Sequence, residues 1–282
     1  MKNALVIGQG LVGQAVSSEL AEKGFTVAST VTNEVPELGW IGLDLTQRSS
    51  VLAVISSVRP DIVVNTGQVS SFARCEEAPD RAREVNVTGA ENLVRALESV
   101  NSTARLVQLS SVSVLEDTPN AKECDAPSPN SLYGETLLKA ESIVQESDLE
   151  TTVLRSTHIF GPWKKRKRNE RFYDLILGQK LNSKIVNNTE MNPVGIDDVA
   201  RAISFLVNQA AGIYHISGDE TLSHFDFVNL VAKTNRLAQI GDDQAHTRSG
   251  GNGLISTLDS GLLRSLGFNP HTLRSRLQEY AV

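Results

Sequence analysis

Three glycines give this chain its clearest chemistry. Gly8, Gly10 and Gly13 stand in the run Gly8-Gln9-Gly10-Leu11-Val12-Gly13, directly after the apolar residues Ala4 to Ile7. The spacing suits a pyrophosphate. One glycine permits a tight turn, one lets the main chain approach the phosphates, and one lets a helix pack close to a strand. Leu11 and Val12 open that helix, whose first N–H groups and partial positive charge favour an anion. A second group of residues suits proton transfer to a carbonyl. Ser111 closes an apolar run, and Tyr133 lies in Asn130-Ser131-Leu132-Tyr133-Gly134. A serine hydroxyl polarises a carbonyl that a neighbouring phenol protonates. A phenol ordinarily holds its proton to a pKa of about 10, so acid–base work calls for a cation nearby. The residue one helical turn on is Leu137, and Lys139 falls on roughly the opposite helix face.

Further polar residues extend the nucleotide reading. Asp44, in Gly42-Leu43-Asp44-Leu45-Thr46, either accepts a hydrogen bond from an adenine amino group or caps the helix that follows. The segment Val27 to Asn33 lacks the acid that would grip a ribose 2′-hydroxyl. Thr30 and Thr32 suit a 2′-phosphate, although no arginine is close in sequence, so of NADP and NAD the former is favoured. His158 either abuts a nicotinamide or is structural. In Lys164-Lys165-Arg166-Lys167-Arg168, Arg166 and Arg168 either clamp a diphosphate-bearing substrate or belong to a solvated loop.

These residues need a scaffold, and the hydrophobic pattern supplies one. Strands are expected at Ala4 to Ile7, Thr26 to Val31, Trp40 to Leu43, Asp61 to Asn65, Leu106 to Leu109 and Thr152 to Arg155. Helices fall between them at Leu11 to Lys23, Ser49 to Val58, 81–98 and Leu132 to Glu146. Such alternation implies an α/β, Rossmann-type doubly wound parallel sheet, with ligands beyond the carboxyl ends of the strands. The strand ends are Gly8, Asp44, Asn65 to Gln68, Ser110-Ser111 and Thr157 to Gly161. After Gly161 the rhythm breaks. Residues 1–160 read as the dinucleotide-binding domain, to which 193–214 return, and 161–192 with 215–282 read as a smaller C-terminal substrate lobe. Asp259 is the expected N-cap of a helix at Leu262 to Leu266.

Bulk properties narrow the classes. Of 282 residues, 40% are hydrophobic and 21% charged, as in ordinary soluble domains. A net charge of −6 argues against nucleic acid or an anionic membrane as partner. Cys75 and Cys124 have no metal-ligand spacing and form no disulfide framework, so no metal is expected and a cytoplasmic setting is the default. No secretory leader or membrane-spanning run is read.

In this order the residues resemble the extended short-chain dehydrogenase/reductase family, and within it the dTDP-4-dehydrorhamnose reductase-like branch. The resemblance spans nearly the whole chain. Beside the glycine turn and Leu43-Asp44-Leu45, it rests on Asp61 to Asn65 with Gly67, Cys75 to Pro79, and Val85-Asn86-Val87-Thr88-Gly89. It continues through Leu109 to Leu115, Tyr133-Gly134, Leu154 to Pro162, Asp197 to Arg201 and Gly212 to Gly218. It implies Tyr133 and Ser111 as catalytic residues. It implies cofactor contacts from Gly8, Gly10, Leu11, Val12, Gly13, Asp44, Leu45, Asn65, Gly67, Asn86 and His158. Leu137 departs from the family's lysine, Val112 from a frequent aspartate, and Thr66-Gly67-Gln68 from a small apolar turn. The resemblance thus implies an NAD(P)-dependent reductase, epimerase or dehydratase acting on a nucleotide sugar or related small molecule. The alternative is a dinucleotide-binding regulatory subunit without catalysis. Pairing into a homodimer through helices 81–98 and 132–146 is a further expectation.

Overall fold

The computed structural model describes residues 2–32, 39–100, 103–161, 185–186, 188–235, 245–246 and 254–281. Seven strands form one parallel sheet: β1 (Asn3–Ile7), β2 (Thr26–Val31), β3 (Ile41–Gly42), β4 (Ile62–Asn65), β5 (Arg105–Ser111), β6 (Thr151–Ser156) and β11 (Gly212–Ile216). Their order is β11-β6-β5-β4-β1-β2-β3, so the winding reverses between β1 and β4. A crevice opens beyond the carboxyl ends at such a reversal.

Helices cover both faces. The helices are α1 (Leu11–Glu22), α2 (Arg48–Val58), α3 (Phe72–Glu77), α4 (Pro79–Arg83), α5 (Gly89–Ser99), α6 (Leu132–Gln145) and α7 (Ile196–Leu206). Toward the carboxyl end follow α8 (His224–Thr234), α9 (Gly261–Ser265) and α10 (Leu273–Tyr280). The unbroken apolar character of β1 follows from burial on both sides. Ala4 and Val6 pack with Val16 and Leu20 of α1 and Ile203 of α7, while Leu5 and Ile7 pack with Ile55 of α2 and Leu93 of α5. Among the described residues, three short parallel ladders lie outside the sheet. They join β7 (Ile159–Phe160) to β10 (Val194–Gly195), β8 (Ile185–Val186) to β12 (Ala245–His246), and β9 (Thr189–Met191) to β13 (Leu254–Ser256).

The segment read as one helix over 81–98 is divided. Glu84–Thr88 forms a π-turn between α4 and α5, and that wider turn brings Asn86 into the interior. The N-cap of α9 is Ser260, not Asp259, whose Oδ1 instead accepts from the Gly261 N–H at 2.7 Å.

The C-terminal helix is fastened by charge as well as by apolar packing. Leu273, Leu277 and Tyr280 pack with Phe160, Ile196, Phe227 and Val231. Beside them Arg276 holds Asp198, fully buried at the start of α7, through Nε–Oδ2 and Nη2–Oδ1 bonds of 2.7 and 2.9 Å. Arg201 and His271 complete the set at 2.6 and 2.8 Å from Oδ1. The hydrogen bonds and charge of Arg276, with His271, hold the Asp198 carboxyl below the usual carboxylate range despite the opposing effect of burial.

Candidate functional site

The three glycines have three distinct physical reasons. Gly8 sits at φ +86°, and a Cβ there would lie 2.7 Å from the Gly67 Cα. A Cβ on Gly13 would lie 1.8 Å from the Gly8 carbonyl oxygen, so this glycine lets α1 press on the turn. Gly10 has nothing within 4 Å of its notional Cβ. It opens α1 as the N-cap without a side-chain cap, leaving first-turn N–H groups to be satisfied from outside. Thr66, from the turn after β4, ties the parts together. Its hydroxyl bonds to the Ile7 and Gly8 carbonyls at 2.7 and 2.8 Å.

A cavity of about 460 Å³ runs past this turn. Among the expected contacts, Gly8, Gly10, Asp44, Leu45 and Gly67 line it, with Thr30 and Thr32 beside them. The remaining wall includes Gln9 and Gln68, which lie in the glycine run and the strand-end turn already singled out, and Val69, Ser70 and Arg81, which the sequence reading missed. Arg81 is the notable addition. It lies in α4, far along the chain from Thr30 and Thr32, yet shares their cavity. Asp44 does not cap α2, whose N-cap is Gln47. Its Oδ1 accepts from the Thr46 hydroxyl and N–H at 2.8 and 3.0 Å. Those bonds, and then the charge of Arg81, hold it below the usual carboxylate range.

Other expected contacts do not line this cavity, and the geometry gives the reasons. Asn65 is buried, with Oδ1 accepting from the Gly67 N–H at 3.0 Å and Nδ2 donating to Gln108 at 2.9 Å. Asn86 is buried too. It accepts from the Val69 N–H at 2.8 Å and donates to the Thr136 hydroxyl at 3.0 Å. Both asparagines shape the wall through Gly67 and Val69. Gly13 packs behind the turn, Leu11 is exposed, and Val12 packs against the core. Arg166 and Arg168 lie outside the described residues.

Ser111 and Tyr133 are brought together by a tight approach of α6 to the end of β5. Ser131 caps α6 by accepting from the Gly134 N–H at 3.2 Å. A Cβ on Gly134 would lie 2.1 Å from the Ser113 carbonyl oxygen, so glycine lets the helix seat against that turn. Burial pushes the Tyr133 phenol up to about 12, while a hydrogen bond with the Ser111 side chain opposes the rise. One turn on, Leu137 is buried against Val112, Val114, Leu115, Ala121 and Leu258. Lys139 is exposed.

Behind this pair lies a buried polar chain. Arg155 is bidentate to Glu141 of α6, with Nη2–Oε2 at 2.7 Å, and Ser110 also bonds to Glu141. His215 donates Nδ1–H to the Ala121 carbonyl at 3.0 Å, which leaves Nε2 toward Arg155 at 3.5 Å. Burial, then the Arg155 charge, lowers the His215 pKa to about 4. His158 lies in the loop after β6, its ring centroid 6.2 Å from that of His224. Desolvation of the ring by the protein beside it, and then the neighbouring His224, hold its pKa below the ordinary histidine value, although the residue is exposed at the surface. Among the described residues, no cluster of three or more His, Cys, Asp or Glu could hold a metal, and no helix is long and apolar enough to cross a membrane.

An all-parallel sheet with a glycine turn at its reversal point, and a serine–tyrosine pair at the end of β5, defines the Rossmann-type class of extended short-chain dehydrogenases/reductases. Within that class the chain belongs to the RmlD substrate binding domain family, whose model matches residues 1–279. It is 27% identical over 250 residues to dTDP-4-dehydrorhamnose reductase of Escherichia coli (strain K12), covering 84% of this chain and 80% of that protein. It is 26% identical over 247 residues to the methionine adenosyltransferase 2 subunit beta of Xenopus tropicalis, covering 84% of this chain and 73% of that protein. A crystal structure of dTDP-4-dehydrorhamnose reductase from Bacillus anthracis str. Ames in complex with NADP shares the fold at a TM-score of 0.81 and 21% identity, over 99% of this chain and 97% of that one.

Proposed function

We propose that this protein is a nicotinamide-dinucleotide-dependent oxidoreductase that reduces the carbonyl of a nucleotide sugar. The observation that carries the reading is the meeting of Ser111 and Tyr133 at the same sheet end as the glycine turn. The residues fit a dinucleotide: Gly10 leaves open space beside uncapped N–H groups, in a cavity that also holds Asp44 and Leu45. When bound, the reduced coenzyme supplies a hydride. Gly10 and the first turn of α1 would hold its phosphates, and Asp44 its adenine. Arg81, Thr30 and Thr32 line the same cavity, which favours NADP over NAD. Arg166 and Arg168 would meet the substrate's diphosphate.

Tyr133 holds a proton throughout the neutral range, because its pKa is raised to about 12. A protonated phenol can give that proton to a carbonyl oxygen that gains negative charge, while Ser111 polarises the same carbonyl. Donation leaves a phenolate, which burial disfavours, so the transfer depends on the basicity that the receiving oxygen gains in the transition state. Turnover is tested by following oxidation of NADPH and NADH with dTDP-4-dehydrorhamnose and other keto nucleotide sugars. Tyr133→Phe is expected to lower turnover by about 10²-fold or more. Equal turnover in the variant would remove the phenol from the mechanism.

The second reading is a dinucleotide-binding accessory subunit. Leu137, packed in an apolar cluster one helical turn after Tyr133, offers the phenol no charge and favours it. The similarity to a subunit beta points the same way. It predicts saturable coenzyme binding with no substrate reduction, and no change in that binding on Tyr133→Phe.

A further inference from the structure

The turn after β4 contains one polar group that its neighbours do not satisfy. Asn65 and Thr66 spend their side chains on protein partners: Asn65 on Gly67 and Gln108, Thr66 on the Ile7 and Gly8 carbonyls. Gln68 does not. Its Oε1 is buried from solvent and accepts no hydrogen bond from the described residues. A buried acceptor left unmade costs about 1–3 kcal/mol, so such groups are rare without a use. The buried Thr152 hydroxyl of β6 is also unmatched, but it lies away from the cavity, whereas Gln68 forms part of the cavity wall between Gly67 and Val69.

We propose that Gln68 is a cofactor-positioning residue whose side-chain oxygen, tucked away in the unliganded turn without a partner among the described residues, rotates toward the cavity to accept a hydrogen bond from a ribose hydroxyl of the bound dinucleotide. The inference rests on the dinucleotide reading above. The chemistry of the atom selects the partner. An amide oxygen needs a hydrogen-bond donor, and phosphate oxygens at neutral pH offer none. The adenine amino group is assigned to Asp44, whose carboxylate lies on the same cavity. Of the remaining donors of a dinucleotide, the ribose hydroxyls belong to the sugars bonded to the pyrophosphate, whereas the carboxamide of the nicotinamide lies at the far end of the molecule. Gln68 thereby orients the sugar relative to the phosphates held at Gly10.

The test compares Gln68→Met and Gln68→Glu with the parent protein, by titration with NADH and NADPH and by melting without ligand. Methionine keeps the length and removes the acceptor. It is expected to weaken binding about 5- to 20-fold, from loss of one hydrogen bond and stranding of a hydroxyl. The unliganded Gln68→Met protein is expected to melt at or above the parent temperature, because the unmatched acceptor is gone. Glutamate keeps an acceptor and adds a charge, so it is expected to hold binding within about threefold if the partner is a hydroxyl. Binding of Gln68→Met as tight as the parent's overturns the inference and leaves the dinucleotide reading standing. So does Gln68→Glu binding more weakly than Gln68→Met, which would identify a phosphate as the partner. Absence of saturable binding by the parent itself overturns the dinucleotide reading and the inference with it. Gly10→Val provides the separate control: it should abolish binding while leaving the melting temperature unchanged.

Discussion

Gly10 and Gly13 belong to one motif, yet their substitution by alanine should fail in opposite ways. At Gly13 the new Cβ would lie 1.8 Å from the Gly8 carbonyl oxygen and 2.8 Å from the Thr66 hydroxyl. Ordinary contacts begin near 3.4 Å, so α1 must retreat by about 1.5 Å from a backbone atom. Overpacking of that kind costs about 1–3 kcal/mol. The single Thr66 hydroxyl proton shared between the Ile7 and Gly8 carbonyls, at 2.7 and 2.8 Å, would be displaced as well, at about 1 kcal/mol. The unfolding entropy of a chain of 282 residues converts each kcal/mol into roughly 2 °C. Gly13→Ala should therefore lower the melting temperature by about 4–8 °C. At Gly10 nothing lies within 4 Å and φ is −69°, a value alanine adopts freely. Gly10→Ala should melt within about 1 °C of the parent, yet weaken NADH or NADPH binding about tenfold or more by standing between the phosphates and the main chain. Differential scanning calorimetry and isothermal titration would read the two effects separately. If Gly10→Ala melted as early as Gly13→Ala, or bound coenzyme at parental affinity, the division of labour argued for these glycines would be wrong.

Two further outcomes are expected. His215 is lowered to about 4 in the folded protein, so the unfolded chain binds its proton first as the pH falls. Stability from this group is present above the unfolded value of about 6.5 and is lost between there and about 4, amounting to about 3 kcal/mol. Glu123, which accepts from the His215 N–H and is raised above its ordinary range by burial, acts in the opposite direction. The comparison is therefore the parent against His215→Gln, whose melting curve should lose this part of the slope; identical slopes would refute the assignment. Arg276→Met strands the buried Asp198 carboxylate and should cost about 3–5 kcal/mol, or roughly 5–10 °C in melting temperature. A fall below about 2 °C would show that Arg201 and His271 suffice.

The scaffold was legible where periodicity is strong. The apolar run of β1 and the spacing of Val12, Val16 and Leu20 mark a strand and helix within a residue or two of their bounds, because each buries a continuous face. The three glycines were legible because their spacing carries a mechanism. Gln68 was legible as a strand-end residue without a role, and Arg81 was not legible at all, since only the placement of α4 brings it to the cavity. Asn65 and Asn86 show the converse limit. They are polar residues at a strand end and on a helix, and sequence alone does not tell a ligand contact from a brace that holds main-chain N–H groups. Nor does it show the π-turn that carries Asn86 inward, because one extra residue in a helical turn leaves no mark in the hydrophobic pattern.

The clasp between α7 and α10 joins parts of the chain 78 residues apart. Loss of α10 would leave the Asp198 carboxylate to Arg201 and His271 alone. It would also open to water the apolar flank that Leu273, Leu277 and Tyr280 cover.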